Sequence, residues 1–462
     1  MARIVKKFGD LTKDPVPRLI RRVAVPAATG LFFNTMYNVV DTYFAGTLST
    51  EALAALSLSM PVFFIILSMS VGMSTGATAL VGNALGGGNR AGAREYAIQG
   101  VSVGAMVALG LTGLGIYVSP ALFGLLGAHG QYLRTCLEYM DIIFLGSVFF
   151  MINYMMNAIL QAQGDTRSFR NFLFAGFVLN IGLDRWFVFG GLGVPALGIQ
   201  GIAFATILIQ AVGVVYLGYK VKATGLVSNR KRWEALPRFR TTLEMARQGI
   251  PASANFLTIG VGVFVIQYFV SDFGKVAVAA YGTAIRIEQI ALLPALGLDI
   301  AVLAIVSQNS GAGLYDRVRE AVSTALIWGG VCMGLGTVAI FAAAKPMLGI
   351  FTDNAAVVNT GAVYLYIDAL VLYAYVVLFV HVAALQGLKR PMFALWIGLF
   401  RQVAAPAAVF YLLTRVLDVG IVGIWWGIFA VTWCAAGVAF FYARRVMARM
   451  SPRSEPAAAG VT

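Results

Sequence analysis

Long apolar runs broken by short polar turns recur from one end of the chain to the other. They place spans near 18–44, 53–84, 97–122, 132–162, 169–190 and 197–219, and again near 246–271, 277–310, 318–344, 357–386, 392–414 and 420–443. Each is long enough to cross a bilayer as a helix, which takes about 20 residues. Twelve spans are therefore predicted. The pattern is broken most sharply inside the first, at NTMYNVVDTYFAG. Asn34, Tyr37, Asn38 and Asp41 recur there at i, i+3, i+4 and i+7, one narrow polar stripe on a helix. A carboxylate among apolar residues is a functional candidate, because an ionised Asp at mid-bilayer costs about 2.5–3.5 kcal/mol on insertion scales.

Composition makes the chain an all-α polytopic membrane protein. Hydrophobic residues are 59% and charged residues 12% of it, against about 25% charged in soluble domains. The 51 glycines suit close helix packing in lipid. The net charge of +14 raises nucleic acid as a partner, but the basic residues sit in short clusters between apolar runs, without stacking aromatics, and no nucleic-acid partner is expected. About 27 of the 34 Lys and Arg fall on the side holding both termini, which predicts cytoplasmic termini in the cell's inner membrane. The first apolar segment is of full span length and reads as a span, not as a cleaved signal peptide. Cys136, Cys332 and Cys434 lack metal or redox spacing, and His129 and His381 are the two histidines, so no metal cluster is expected.

The second half repeats the first at an offset of 225 residues. Pro26 falls on Pro251, EALAAL (51–56) on VAVAAY (276–281), VGNALGGGNRAGARE (81–95) on VSQNSGAGLYDRVRE (306–320) and ILQ (159–161) on ALQ (384–386). The organisation this predicts is an N-terminal lobe over 1–221, a basic cytoplasmic linker over 222–245, a C-terminal lobe over 246–446 and a disordered cytoplasmic tail over 447–462. An even number of spans per half gives lobes related by an axis along the membrane normal, a plan that recurs in secondary transporters.

Asp41 has no acidic twin, since the offset puts it on Ile266. Span five holds a second acid, Asp184, with Asn180 one turn before it on the same face. Both acids come late in spans that start on the cytoplasmic side, so both belong to the outward half of the N-lobe. Asn153, Asn157 and Gln161 form a polar stripe on span four. Asn34, Tyr37 and Asn38 with these three are the candidate substrate pocket. Met151, Met155, Met156, Phe149, Phe150 and Tyr154 read either as an adaptable apolar surface or as packing. In the second half, Arg286, Glu288, Asp299, Asp368, His381 and Arg401 read as structural pairs, such as Arg286 with Glu288, or as a second site. GNALGGGN lacks the Lys-Ser/Thr ending of a phosphate loop and reads as a helix-connecting turn.

Taken in order, Pro26, NVVDTYFAG, EALAAL, GNALGGGN, ILQAQGDTR and LQGLKRP resemble the multidrug and toxic compound extrusion (MATE) family across essentially all twelve spans. The resemblance implies two pseudo-symmetric six-helix lobes forming a V, and an antiporter that exports organic, amphipathic, often cationic compounds in exchange for H+ or Na+. The partners it implies are small organic molecules and the bilayer, and no other cofactor is expected. At positions where NorM-like members carry acids in spans seven and ten, this chain has Ile259 and Tyr375; the pair Asp41 and Asp184 resembles the DinF-like branch. That likeness adds Tyr37, Asn157 and Thr206 as site neighbours, places the ion chemistry in one lobe, and makes Asp41, Asn180, Asp184 and Thr206 the proton-coupling set or a Na+ donor set. Branch members typically have Pro where this chain has Arg185, which either snorkels outward or pairs with Asp184. A monomer is expected. The alternatives are a lipid-linked precursor flippase of the same superfamily and a sodium-coupled exporter. No nucleophile elbow, His-carboxylate dyad or Asp-rich metal motif marks an enzyme.

Overall fold

The computed structural model describes residues 10–191, 193–227, 234 and 236–450. The predicted tail beyond 450 and the linker residues 228–233 and 235 lie outside the described residues. Among the described residues ten helices are long and apolar enough to cross a membrane, and counting each of two bent pairs as one span gives twelve in succession. Those of the first half are Val16–Leu48, Thr50–Gly86, Arg90–Leu125, the bent pair Gly130–Leu145 and Ser147–Gln161, Arg167–Phe189 and Ile199–Ala223. Those of the second are Phe239–Ser271, the broken pair Lys275–Ala291 and Leu293–Gly311, Tyr315–Gly349, the bent pair Ala355–Ala369 and Leu372–Gly387, Met392–Val416 and Ile421–Ala448.

Helix enters the expected 222–245 linker from both sides, because span six runs to Ala223 and span seven starts at Phe239. Span twelve likewise runs two residues past the expected lobe end at 446. Apolar counting stops where charge begins, but Lys220 and Lys222 in the last turn of span six favour the helix C-terminus rather than ending it. Span four bends by 45° at Gly146, where a Cβ would run into Ile207 of span six. Span eight breaks at Leu292, two residues before Pro294, whose ring removes a helical donor. Span ten bends by 49° between Ala369 and Leu372. Span one stays a single helix through the buried Pro26.

The lobes meet along spans two and seven, one and eight, and two and eight. The seam obeys the 225-residue repeat. A Cβ on Gly72 would run into Ser253, and a Cβ on Gly297 would lie 2.9 Å from that of Ala28; both partners exchange under the offset. Gly86 likewise abuts the Gln308 carbonyl while its mate Gly311 abuts the Asn83 carbonyl. With little hydrophobic drive between helices in lipid, glycine surfaces let backbones touch and gain van der Waals contact. These contacts seal the end of the bundle where both termini emerge.

Candidate functional site

Away from that seal, the N-lobe opens into a cleft with about 890 Å3 of empty space including its mouth. Its wall comes entirely from spans one, two, four, five and six. Asn34, Tyr37, Asn38 and Asp41 line it as the stripe on span one predicts, joined by Asn153 and Thr206. Asp41 is its one charged lining residue.

At its base the two acids come together. Asn180 Nδ2 donates to Asp41 Oδ1 at 3.0 Å, and the Asp184 carboxyl is the neighbour of Asp41. Asn180 and Asp184 have no solvent exposure and Asp41 has 5%. Both Asp184 oxygens and Asn180 Oδ1 lack a hydrogen-bond partner among the described residues. Three buried oxygens without a partner beside a carboxylate are an expensive arrangement, because each has given up its hydration. One turn before Asp41, the Tyr37 hydroxyl donates to Thr206 Oγ1 at 3.1 Å, which ties span one to span six.

Glycines set the spacing. A Cβ on Gly201 would lie 2.7 Å from the Phe187 carbonyl oxygen, so this glycine lets span six meet the end of span five, three residues beyond Asp184. Gly176 lets Ile209 approach; a Cβ there would lie 3.2 Å from it. Arg185 is exposed and makes no ion pair with Asp184, because adjacent residues diverge by about 100° on a helix.

Part of the span-four expectation is corrected. Asn153 lines the cleft, but Asn157 is half-buried outside it, and Gln161 donates to the Ile300 carbonyl of span eight at 3.3 Å. Eight residues advance about 12 Å along a helix, so one stripe runs from the cleft into the lobe seam. Of the apolar candidates there, Phe150 and Tyr154 line the cleft while Met151 and Met155 are core. Two polar lining residues escaped the sequence reading. Gln210 receives Asn153 Nδ2 on its side-chain oxygen at 2.7 Å, and it follows Thr206 at i+4, a signal that was present. Tyr139 had no such marker, standing alone between Glu138 and Met140.

The C-lobe differs from expectation. Buried acids also occur in the C-lobe, where Glu288 and Asp368 sit close together between spans eight and ten, and neither Asp368 oxygen has a hydrogen-bond partner among the described residues. Glu288 does not pair with Arg286, which is exposed because two helical positions put side chains on opposite faces. It accepts instead from the Tyr364 hydroxyl at 2.5 Å. Arg401 lies over the Tyr375 ring at 5.3 Å. His381 Nδ1 bonds the Val377 carbonyl at 2.6 Å, and its ring packs edge-on to Phe440. Asp299 is half-buried next to Ile300, at the lobe seam rather than with the other acids.

Comparison with known proteins agrees with the repeat. The MatE family model matches twice, over residues 26–186 and 251–411, at the same 225-residue offset. The chain is 28% identical over 401 residues to an FAD transporter of Shewanella oneidensis, covering 86% of this chain and 88% of that protein. It is 26% identical over 426 residues to a probable multidrug resistance protein NorM of Thermotoga maritima, covering 91% of each. Its fold superposes on an outward-facing multidrug resistance MATE transporter with a TM-score of 0.89 at 24% identity, covering 96% of this chain and 98% of that one. A superfamily transporter from Pyrococcus furiosus gives the same score at 22% identity, with the same coverage of each chain. Matched in both halves, the chain belongs to the MATE family of membrane transporters.

Proposed function

We propose that the protein is an antiporter of the inner membrane, exporting organic amphipathic compounds by alternating access, with the proton as coupling ion. The observation that carries this reading is the buried Asp41–Asn180–Asp184 cluster at the base of the N-lobe cleft, with its unsatisfied oxygens. Two neighbouring carboxyls out of water titrate as one unit and demand a countercharge. A proton taken there removes charge from the wall that a cationic substrate faces, and the substrate leaves. Loss of the proton on the other side restores the acidic wall. Sharing the carboxylates in this way makes occupation by proton and by substrate exclusive, which is antiport.

With cytoplasmic termini, the sealed end of the bundle faces the cytoplasm and the cleft faces outward, which suits substrate release and proton uptake. Exchange of one proton for one monovalent cation is electroneutral, so accumulation follows the pH difference alone, about tenfold per unit. Sodium is the second reading for the coupling ion, because Asp41, Asp184, Asn180 and Thr206 also supply hard oxygen donors. For substrate class, the relative that transports FAD raises an anionic dinucleotide, whereas the cleft wall has no Lys or Arg to meet phosphates. Neutral or cationic amphiphiles match it better, and the same lack of cations weighs against a lipid-linked precursor. The acid pair in spans one and five supports placement in the DinF-like branch, acting as a monomer.

The deciding experiment measures uptake of a fluorescent organic cation into inverted vesicles, driven separately by a pH jump and a sodium jump. Uptake driven by lumenal acidification without sodium, and lost in both Asp41→Asn and Asp184→Asn, is expected. Normal driven uptake by both variants would overturn the assignment, and uptake driven by sodium alone would transfer it to Na+.

A further inference from the structure

A second cleft lies at the terminus-bearing end of the C-lobe, far along the chain from any residue of the acidic site. Its wall is formed by the start of span seven, the turn between spans ten and eleven, and the last turns of span twelve. Arg247, Lys389, Arg390, Arg445 and Arg449 line two contiguous hollows that share Arg390 and Tyr442, with no acidic residue in either lining. None of the five forms an ion pair among the described residues. Like charges gathered without counter-ions repel one another, so the cluster is a cost to the folded chain unless something anionic meets it.

The fold does not require these cations. Under the 225-residue repeat, Lys389 corresponds to Gly164 and Arg390 to Asp165. The turn is left-handed in both lobes, with φ +80° at Gly164 and +59° at Lys389. That conformation suits glycine and costs a lysine more, so the C-lobe carries a cation where the backbone favours none. Apart from Gln248, the rest of the wall is apolar and faces outward from the bundle. Ile250, Met392 and Tyr442 are 56%, 48% and 40% exposed, and Phe393 stacks on Tyr442 with centroids 4.4 Å apart. Cations at helix ends above an apolar face are the features that recognise a phosphate head group and its acyl chains together.

We infer that this cleft is a binding site for an anionic phospholipid of the leaflet on the terminus-bearing side. The head-group phosphate meets Arg390, Arg445 and Arg449, and an acyl chain lies along Ile250, Met392 and Phe393.

The test uses the purified full-length protein and phosphatidylglycerol. In native mass spectrometry, phosphatidylglycerol is retained over phosphatidylcholine at equal mole fraction. Each charge removed among Arg390→Gln, Arg445→Gln and Arg449→Gln lowers that retention by about fivefold. The control Arg18→Gln/Arg21→Gln, which removes exposed cations at the same end of the N-lobe, leaves it unchanged. On the unaltered protein, a photoreactive acyl chain on phosphatidylglycerol crosslinks to Met392, Phe393 or Tyr442. Equal retention of the two lipids, equal loss in the control, or crosslinks spread evenly over both lobes would each overturn the inference.

Discussion

Asn83 and Gln308 occupy matching positions in the two halves, and each side-chain amide reaches a matching carbonyl of the other lobe. Asn83 Nδ2 donates to the Gly387 oxygen at 2.8 Å and Gln308 Nε2 to the Ala162 oxygen at 2.6 Å. The sealed end of the transporter is thus latched twice, by one contact and its repeat. Each partner carbonyl belongs to a span end, so the latch opens only if the lobes separate there.

Loss of either amide should therefore favour separation by the same amount. Asn83→Ala and Gln308→Ala each remove one hydrogen bond between the lobes and strand a buried carbonyl, a cost of about 1–3 kcal/mol to the closed form. Spin labels at Ala91 and Leu314 should report a longer distance population in both variants. An unchanged distance distribution would show that the latch bears no part of the closure.

The glycines beside the latch are the stronger constraint. Gly86→Val and Gly311→Val put side chains where the opposite backbone lies, and overpacking of this kind costs about 1–3 kcal/mol. Each should lower the melting temperature, whereas Gly110→Ala, with open space around its Cα, should not. Thermal melts of the three variants in one detergent check the contrast.

At the acidic site, Asn180→Ala removes the donor to Asp41 and leaves a buried carboxylate oxygen bare. The expected cost is about 1–3 kcal/mol of stability, together with loss of pH-driven uptake, because Asp41 loses the contact that fixes its orientation. Thermal stability and uptake are measured on the same preparation. Unimpaired uptake would remove Asn180 from the site.

Gly201→Ala tests the scaffold and not the chemistry. A Cβ there meets the Phe187 carbonyl, so span six must move away from span five and carry Thr206 with it. Reduced uptake with an intact lobe seam is expected, the seam being read by the same Ala91–Leu314 distance.

The C-lobe acids provide the converse test. Glu288→Gln keeps an acceptor for Tyr364, and Asp368→Asn replaces an unpartnered carboxyl with an amide of the same shape. If coupling resides in the N-lobe, pH-driven uptake is unchanged in both. Loss of uptake in either would place part of the coupling in the C-lobe.

The sequence alone determined the number of spans, their order and the two-lobe repeat, because apolar length and the 225-residue offset are one-dimensional signals. It also isolated Asp41, since a lone carboxylate in an apolar helix is visible without a fold. The i, i+4 spacing found Asn180 with Asp184, which lie on one rigid helix. What tertiary structure decided was every relation between helices. Asn157 and Gln161 share a face with Asn153, yet the cleft ends after Asn153, and Gln161 meets span eight of the other lobe. Glu288 and Asp368 come together only because spans eight and ten pack side by side, and Arg286 misses Glu288 because two helical positions point apart. The cation cleft likewise gathers residues from three distant parts of the chain. Periodicity fixes which face of a helix a residue occupies, and only packing fixes what that face meets.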